Sequence, residues 1–346
     1  MVTTTTTTLI SKSNGSKHAN ELYQKINSIT TYQRPYIRTI LNKLGETSQD
    51  NANLICDYII NEQNTFNIKE STKEGKIKVL VWLANHFHDE KKFIDMTKHD
   101  IVSYLHRLRK PISEDPKQNW IGSYNIRQLI IVSFFKWLFD PGESDYRARK
   151  IPECVNGIKK LPTREKSKYT SSDIWSEKEI GLFLIYCPNK RDRYYLAMAF
   201  DMSARPSEIL NLKIKDILFK KSDQQIQYAE VEIKGGKTGT RIVPLIDSIP
   251  YVKDWIENGH PNGNNPDSWL FVSLAKTNFG FKLTYDGLLK HFKDFYKNKY
   301  FPQLVSDSSI PQADRSFIKN ILTKPFCMYI FRHSALTQKS ILLKDE

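Results

Sequence analysis

Ser203-Ala204-Arg205-Pro206-Ser207-Glu208-Ile209-Leu210-Asn211-Leu212 is the stretch on which the reading of this chain turns. A helical pattern over 193–202, with Leu196, Ala199 and Phe200 on one side, runs into it. Pro206 suits the first position of a new helix, where its missing N–H needs no partner. Arg205 is therefore expected at a turn between two helices, at an N-terminus whose unpaired backbone N–H groups favour anions. Glu208 follows by one helical turn and is in reach of the guanidinium. Taken alone, the pair reads as a common, weak surface ion pair.

Downstream, Ala229, Val231 and Ile233 alternate with Glu230 and Glu232, the pattern of a half-buried strand over 227–233. Lys234-Gly235-Gly236-Lys237-Thr238-Gly239 makes a glycine-rich turn. Residues 241–245 form the return strand, with Pro244 suited to a sheet edge. Lys237 is thus expected at a hairpin tip. Gly236-Lys237-Thr238 looks like the end of a nucleotide phosphate loop, but that loop needs glycine where Val231 stands, so this turn is not a nucleotide-binding loop. Upstream, Ser176 and Glu179 form a capping box ahead of Ile180, Phe183 and Leu184. Residues 284–296 and 328–343 read as helices. In the second, Tyr329-Ile330-Phe331-Arg332-His333-Ser334 puts Tyr329 and Arg332 on one face.

The first half reads as all helical over 30–145. Ile77, Leu80, Leu83, Ala84 and Phe87 recur at helical steps. Thr97 and Asp100 form a second capping box, before a helix that points Ile101, Leu105 and Leu108 inward and stops at Pro111. A helix capped by Ser123 carries Ile126, Leu129, Ile130, Phe134 and Trp137 on one stripe. Residues 1–25, with six consecutive threonines, read as a disordered polar tail. Between the halves, 145–170 holds eight Lys/Arg against three Asp/Glu and shows no periodicity. It reads as a basic linker, placed at 146–170, in which Lys159, Lys160, Arg164 and Lys166 are candidate DNA contacts.

Composition bounds the rest. The chain of 346 residues is long enough for about two domains of ordinary size. Its formal net charge of +14 favours a polyanionic partner. No run of apolar residues is long enough to span a membrane, and the N-terminus lacks a signal-peptide core, which points to a cytoplasmic, nucleoid-associated protein. Cys56, Cys154, Cys187 and Cys327 are scattered, without zinc-ligand spacing, so thiols in a reducing compartment are expected and no metal site. The fold class is mainly α with a small antiparallel β-sheet. It comprises a helical domain and an α+β domain over 171–346.

The order of these features resembles the tyrosine recombinases, the phage integrase family: an Arg-x-x-Glu turn, a lysine hairpin with Arg-Ile-Val-Pro-Leu on its return strand, then a Tyr-x-x-Arg-His-Ser helix. The resemblance covers about 170–346, and the helical region ahead of it looks like that family's core-binding domain. It implies that Arg205 and Arg332 are the paired catalytic arginines, Lys237 the hairpin lysine, and Glu208 and His333 supporting residues. Tyr329 stands where the family usually has histidine. Two guanidiniums offset a scissile phosphate as forked donors and act most strongly on the charge of the transition state. Lys237 is expected to protonate the leaving 5′ oxygen and Tyr329 to donate a hydrogen bond to the phosphate. In the family a tyrosine then attacks to give a 3′-phosphotyrosyl link. Neither ATP nor a divalent ion is implied.

The implied partners are double-stranded DNA, clamped between the two domains, and further copies of the chain in a tetramer. The family's nucleophile lies well C-terminal to Arg332, and none of the fourteen residues after Arg332 is tyrosine. The reading is therefore of a chain incomplete before its nucleophile, binding DNA without forming an adduct. A catalytically inactive DNA-binding remnant, a helix-rich transcription factor and a type IB topoisomerase stay open beside the recombinase.

Overall fold

Residues 17–31, 35–87, 91–162, 169–222, 227–236 and 239–343 are described by the computed structural model. They form two units, Met1–Glu165 and Lys166–Glu346, each around its own core.

The first unit is helical: α1 (Lys17–Ser28), α2 (Pro35–Glu46), α3 (Gln49–Phe66), α4 (Glu70–His86), α5 (Lys98–His106) and α6 (Trp120–Phe139). Local chemistry sets several of the boundaries. The α5 capping box is formed, with the Asp100 carboxylate accepting from Thr97 N–H at 2.7 Å. Asn67 ends α3 in the left-handed region at φ 46°, which asparagine tolerates better than most residues. Ile55, Ile59, Leu80, Leu83, Ala84, Ile101 and Phe134 are fully buried between these helices.

Three expectations for this half are corrected. The polar tail does not extend to residue 25: Lys17–Ser28 is a helix, with Leu22, Ile26 and Ile29 packed into the core. Residues 1–16 lie outside the described residues. The α6 helix begins at Trp120, not Ser123, and its buried face is Tyr124, Ile131, Phe134, Phe135 and Trp137, while Ile126 and Leu129 are exposed. Apolar residues occur all round this helix, so spacing alone does not choose the inward face. The basic linker is also shorter than 146–170. Cys154 and Val155 are buried in the first core, and the Arg149 side chain is buried with its Nε donating to the Glu143 carbonyl at 2.7 Å. Two side chains of α6 secure the segment beyond. Asn125 Nδ2 donates to the Leu161 carbonyl at 2.9 Å and its Oδ1 accepts from Leu161 N–H at 2.8 Å, while Gln128 Nε2 donates to the Ile158 carbonyl at 2.8 Å.

The second unit comprises α7 (Glu177–Tyr186), α8 (Lys190–Met202), α9 (Pro206–Ile209), β1 (Ile217–Lys221), β2 (Gln227–Gly236), β3 (Gly239–Leu245), α10 (Ile249–Asn258), α11 (Tyr285–His291), a π-helical segment (Phe292–Tyr300), α12 (Phe301–Ser306), α13 (Gln312–Thr323) and α14 (Met328–Leu342). Both Ser176 and Pro206 start helices as their chemistry dictates. The sheet is antiparallel in the order β1-β2-β3, so Pro244 sits on an edge strand. The short strand β1 has no counterpart in the sequence reading.

Aromatic packing fixes this unit: Trp175, Phe183, Tyr195, Phe271, Phe292 and Phe331 are fully buried. A buried polar group anchors the wide-turned segment after α11. The Asp192 carboxylate pairs with Arg191 at 2.6 Å and meets His291 Nε2 at 2.8 Å and Tyr296 Oη at 2.9 Å. The end of β3 is tied to α8 by the Asp201 carboxylate, which accepts from Ile246 N–H at 2.8 Å and from Ser248 Oγ at 2.8 Å. The Asp201 tie holds the end of β3 at the C-terminal end of α8, where α9 begins shortly after and against which α14 packs.

Candidate active site

At the end of α8 the backbone reverses through Ser203, in the left-handed region at φ 51° and ψ 28°. Arg205 follows as the N-cap of α9, with Pro206 in the first turn. Its own N–H donates to Glu208 Oε2 at 2.9 Å, and its Nη1 donates to Glu208 Oε1 at 3.0 Å. The sequence therefore folds Glu208 back onto the residue that precedes its helix. A second arginine grips the same carboxylate. Arg241, on β3, donates from Nη2 to Glu208 Oε2 at 2.7 Å and from Nη1 to Oε1 at 3.4 Å. Glu208 is 5 % exposed, whereas Arg205 and Arg241 keep 26 % and 31 % of their side chains in solvent. The carboxylate is thus the buried hub and the guanidiniums face outward. Burial works against its ionisation, but the hydrogen bonds from Arg241 and Arg205 outweigh that and hold the carboxyl at about 2.

Arg332 enters from α14. Its Nη1 donates to the Ser203 carbonyl at 2.8 Å, so the turn that aims Arg205 also holds Arg332. Burial first, then the like charge of Arg205, lower the Arg332 pKa; Glu208 opposes this and Arg241 adds to it. Arg205, Arg241, Arg332 and Glu208 therefore share one electrostatic neighbourhood with an excess of positive charge. The Ser203 hydroxyl is buried there without a hydrogen-bond partner among the described residues.

Tyr329 lies one turn before Arg332, is 39 % exposed, and packs its ring 6.2 Å from that of Tyr285. His333 is exposed, with its ring 5.0 Å from Tyr169. Cys327 caps α14, its sulfur 3.5 Å from Tyr169 Oη and 3.8 Å from Tyr285 Oη. Burial pushes this thiol up, but those hydroxyls and the N–H groups of Tyr329 and Ile330 more than offset it, and the net shift is downward.

Of the sequence-derived site residues, the structure gathers Arg205, Glu208 and Arg332 and sets Tyr329 one helical turn from Arg332. Lys237 lies outside the described residues; its flanks, Gly236 and Gly239, are register partners at the end of β2 and β3. Gly239 has φ 86°, a conformation that side-chain-bearing residues rarely adopt. Lys159 and Lys160 are exposed on the first unit, and Arg164 and Lys166 lie outside the described residues. Sequence reasoning missed Arg241, because its partner is 33 residues away and no local spacing signals the contact. It also missed a basic cleft on the first unit. There the Arg127 guanidinium stacks 4.4 Å from the Trp82 ring and donates to Tyr104 Oη at 3.1 Å, with Lys43 and Arg107 alongside. No acidic residue is among those lining the cleft.

Among the described residues, no group of three or more His, Cys, Asp or Glu side chains is placed to hold a metal ion, and no helix is long and apolar enough to cross a membrane.

Residues 176–302 match the phage integrase family. The tyrosine recombinase XerA of Pyrococcus horikoshii is 25 % identical over 234 residues, 66 % of this chain and 69 % of XerA. A solved structure of the site-specific recombinase XerH, bound to a palindromic difH substrate in a post-cleavage complex, shares the fold. Its TM-score is 0.51 at 16 % identity, over 93 % of this chain and 84 % of that one. The chain thus carries a phage integrase family domain over residues 176–302 and is similar to the tyrosine recombinase XerA.

Proposed function

We propose that Arg205 and Arg332 hold the scissile phosphate of an enzyme that cuts and rejoins duplex DNA at a specific sequence, and that the 3′-phosphotyrosyl step requires an attacking tyrosine that is not among the site residues gathered here. The observation that carries this reading is that Arg205 and Arg332, on different helices, are braced by one turn: Ser203 supplies the carbonyl that holds Arg332, and Glu208 holds Arg205. Such a pair presents forked donors to two non-bridging oxygens and needs no reorganisation when charge builds on phosphorus. Lys237 is the general acid for the 5′ oxygen, and Tyr329 is a hydrogen-bond donor to the phosphate. Tyr329 is not the attacking group, because it shares with Arg332 the face that binds the phosphate.

The DNA partner is supported by the XerH complex, which holds that recombinase on its substrate. On the first unit, the cleft of Arg127, Arg107, Lys43 and Trp82, together with Lys159 and Lys160, is the surface for backbone phosphates. Recombination between two duplexes calls for four copies of the chain on DNA.

Selection tests this reading. Duplexes recovered by the protein from a random-sequence pool converge on one sequence, and any strand cleavage of that duplex is lost in Arg205→Ala and in Arg332→Ala. A pool that stays random, or cleavage that survives either substitution, contradicts it.

A further inference from the structure

Arg241 has no part in the roles assigned so far, yet it makes the shortest side-chain contact to Glu208, 2.7 Å, closer than the 3.0 Å contact of Arg205. The two arginines divide the carboxylate between them. Each oxygen accepts one bond from Arg205 and one from Arg241, so the acceptor capacity of Glu208 is taken up. Removing Arg241 leaves half of those positions open. The carboxylate can then rotate about its terminal torsion, and the Arg205 side chain loses the fixed edge it lies against. Arg241 also stands two residues after Gly239, on the return strand of the hairpin that carries Lys237. A displacement of that strand is transmitted to Glu208, and through it to Arg205, by charge-assisted bonds rather than by loose packing.

We propose that Arg241 is a positioning residue: through Glu208 it fixes the orientation of the Arg205 guanidinium, and it couples that orientation to the hairpin bearing Lys237. This rests on the reading of Arg205 and Arg332 as the phosphate site. Arg241 acts on the phosphate through Glu208 and Arg205, not by contact. Its positioning effect is therefore exerted on interactions that need Arg205 held in place, beside the like charge it presents to Arg332. Arg332, braced by the Ser203 carbonyl instead, is left in position.

The test uses the full chain labelled with 15N-arginine and titrated with inorganic phosphate, following the side-chain N–H signals of Arg205 and Arg332. In the unsubstituted protein both signals move with one shared affinity. In Arg241→Gln the Arg205 response weakens by about fivefold or more, the scale of one charge-assisted contact, while the Arg332 signal keeps its position before phosphate is added. Arg241→Gln combined with Glu208→Gln is no worse than Glu208→Gln alone, because both act along one path. Arg241→Lys, which keeps the charge but cannot span both oxygens, restores part of the affinity and carries the test if Arg241→Gln does not fold. A phosphate titration of Arg205 unchanged by Arg241→Gln or Arg241→Lys overturns the proposal. Losses that add in the double variant also overturn it. Failure of phosphate to move either arginine in the unsubstituted protein removes the phosphate site itself, and is distinguished by appearing before any substitution is made.

Discussion

In the proposed phosphate site, Arg205 acts through geometry as much as charge. A lysine in its place keeps the charge but presents one ammonium where a planar fork spans two oxygens and Glu208 at once. In a protein completed by a nucleophilic tyrosine, Arg205→Lys is therefore expected to slow strand cleavage almost as much as Arg205→Ala, by on the order of 10² or more, the cost of one transition-state donor. Gel-resolved cleavage rates check this; a lysine variant close to the parent contradicts it. Glu208 gives a pH signature. Its carboxyl is held at about 2 against an ordinary 4.5, so the ionised hub stabilises the fold above that ordinary value, and the stabilisation is lost as the pH falls through about 2. The difference in urea midpoint between the parent and Arg241→Gln should shrink as the pH drops across this window. A difference that is constant with pH would mean that Arg241 contributes only packing.

Elements differ in how far their own residues announce them. Thr97 with Asp100, Ser176 with Glu179, and Pro206 after Arg205 are legible because each cap is completed within four residues. The inward face of α6 is not, since a helix apolar on most sides is oriented by what packs on it. Strand β1 escapes notice because only Ile217 of its five residues is buried, which leaves no alternation to read. The contact of Arg241 with Glu208 and the attachment of 158–161 to α6 depend on chain reversal, which no local pattern encodes. That attachment has a measurable consequence. Asn125→Ala removes both bonds to Leu161, and each net hydrogen bond contributes about 1 kcal/mol, so a loss near about 2 kcal/mol is expected in urea unfolding. Unchanged stability would return this segment to the status of a free linker.

At the scale of the whole molecule, the +14 net charge and the basic cleft predict strongly salt-dependent binding to duplex DNA. Replacing Lys159 and Lys160 with glutamine should reduce the slope of log affinity against log salt by about 0.9 for each phosphate that is no longer neutralised. An unchanged slope would take these lysines out of the interface. The central claim, that Arg205 and Arg332 hold one phosphate between them, is tested most directly by methylphosphonate interference on the selected duplex. Single phosphates are neutralised one at a time, and the affinity of each duplex is compared for the parent, Arg205→Ala and Arg332→Ala. The account predicts one position at which neutralisation weakens the parent by about tenfold, roughly the value of one doubly held charge, and weakens neither variant appreciably. Loss of sensitivity at two different positions in the two variants would contradict it.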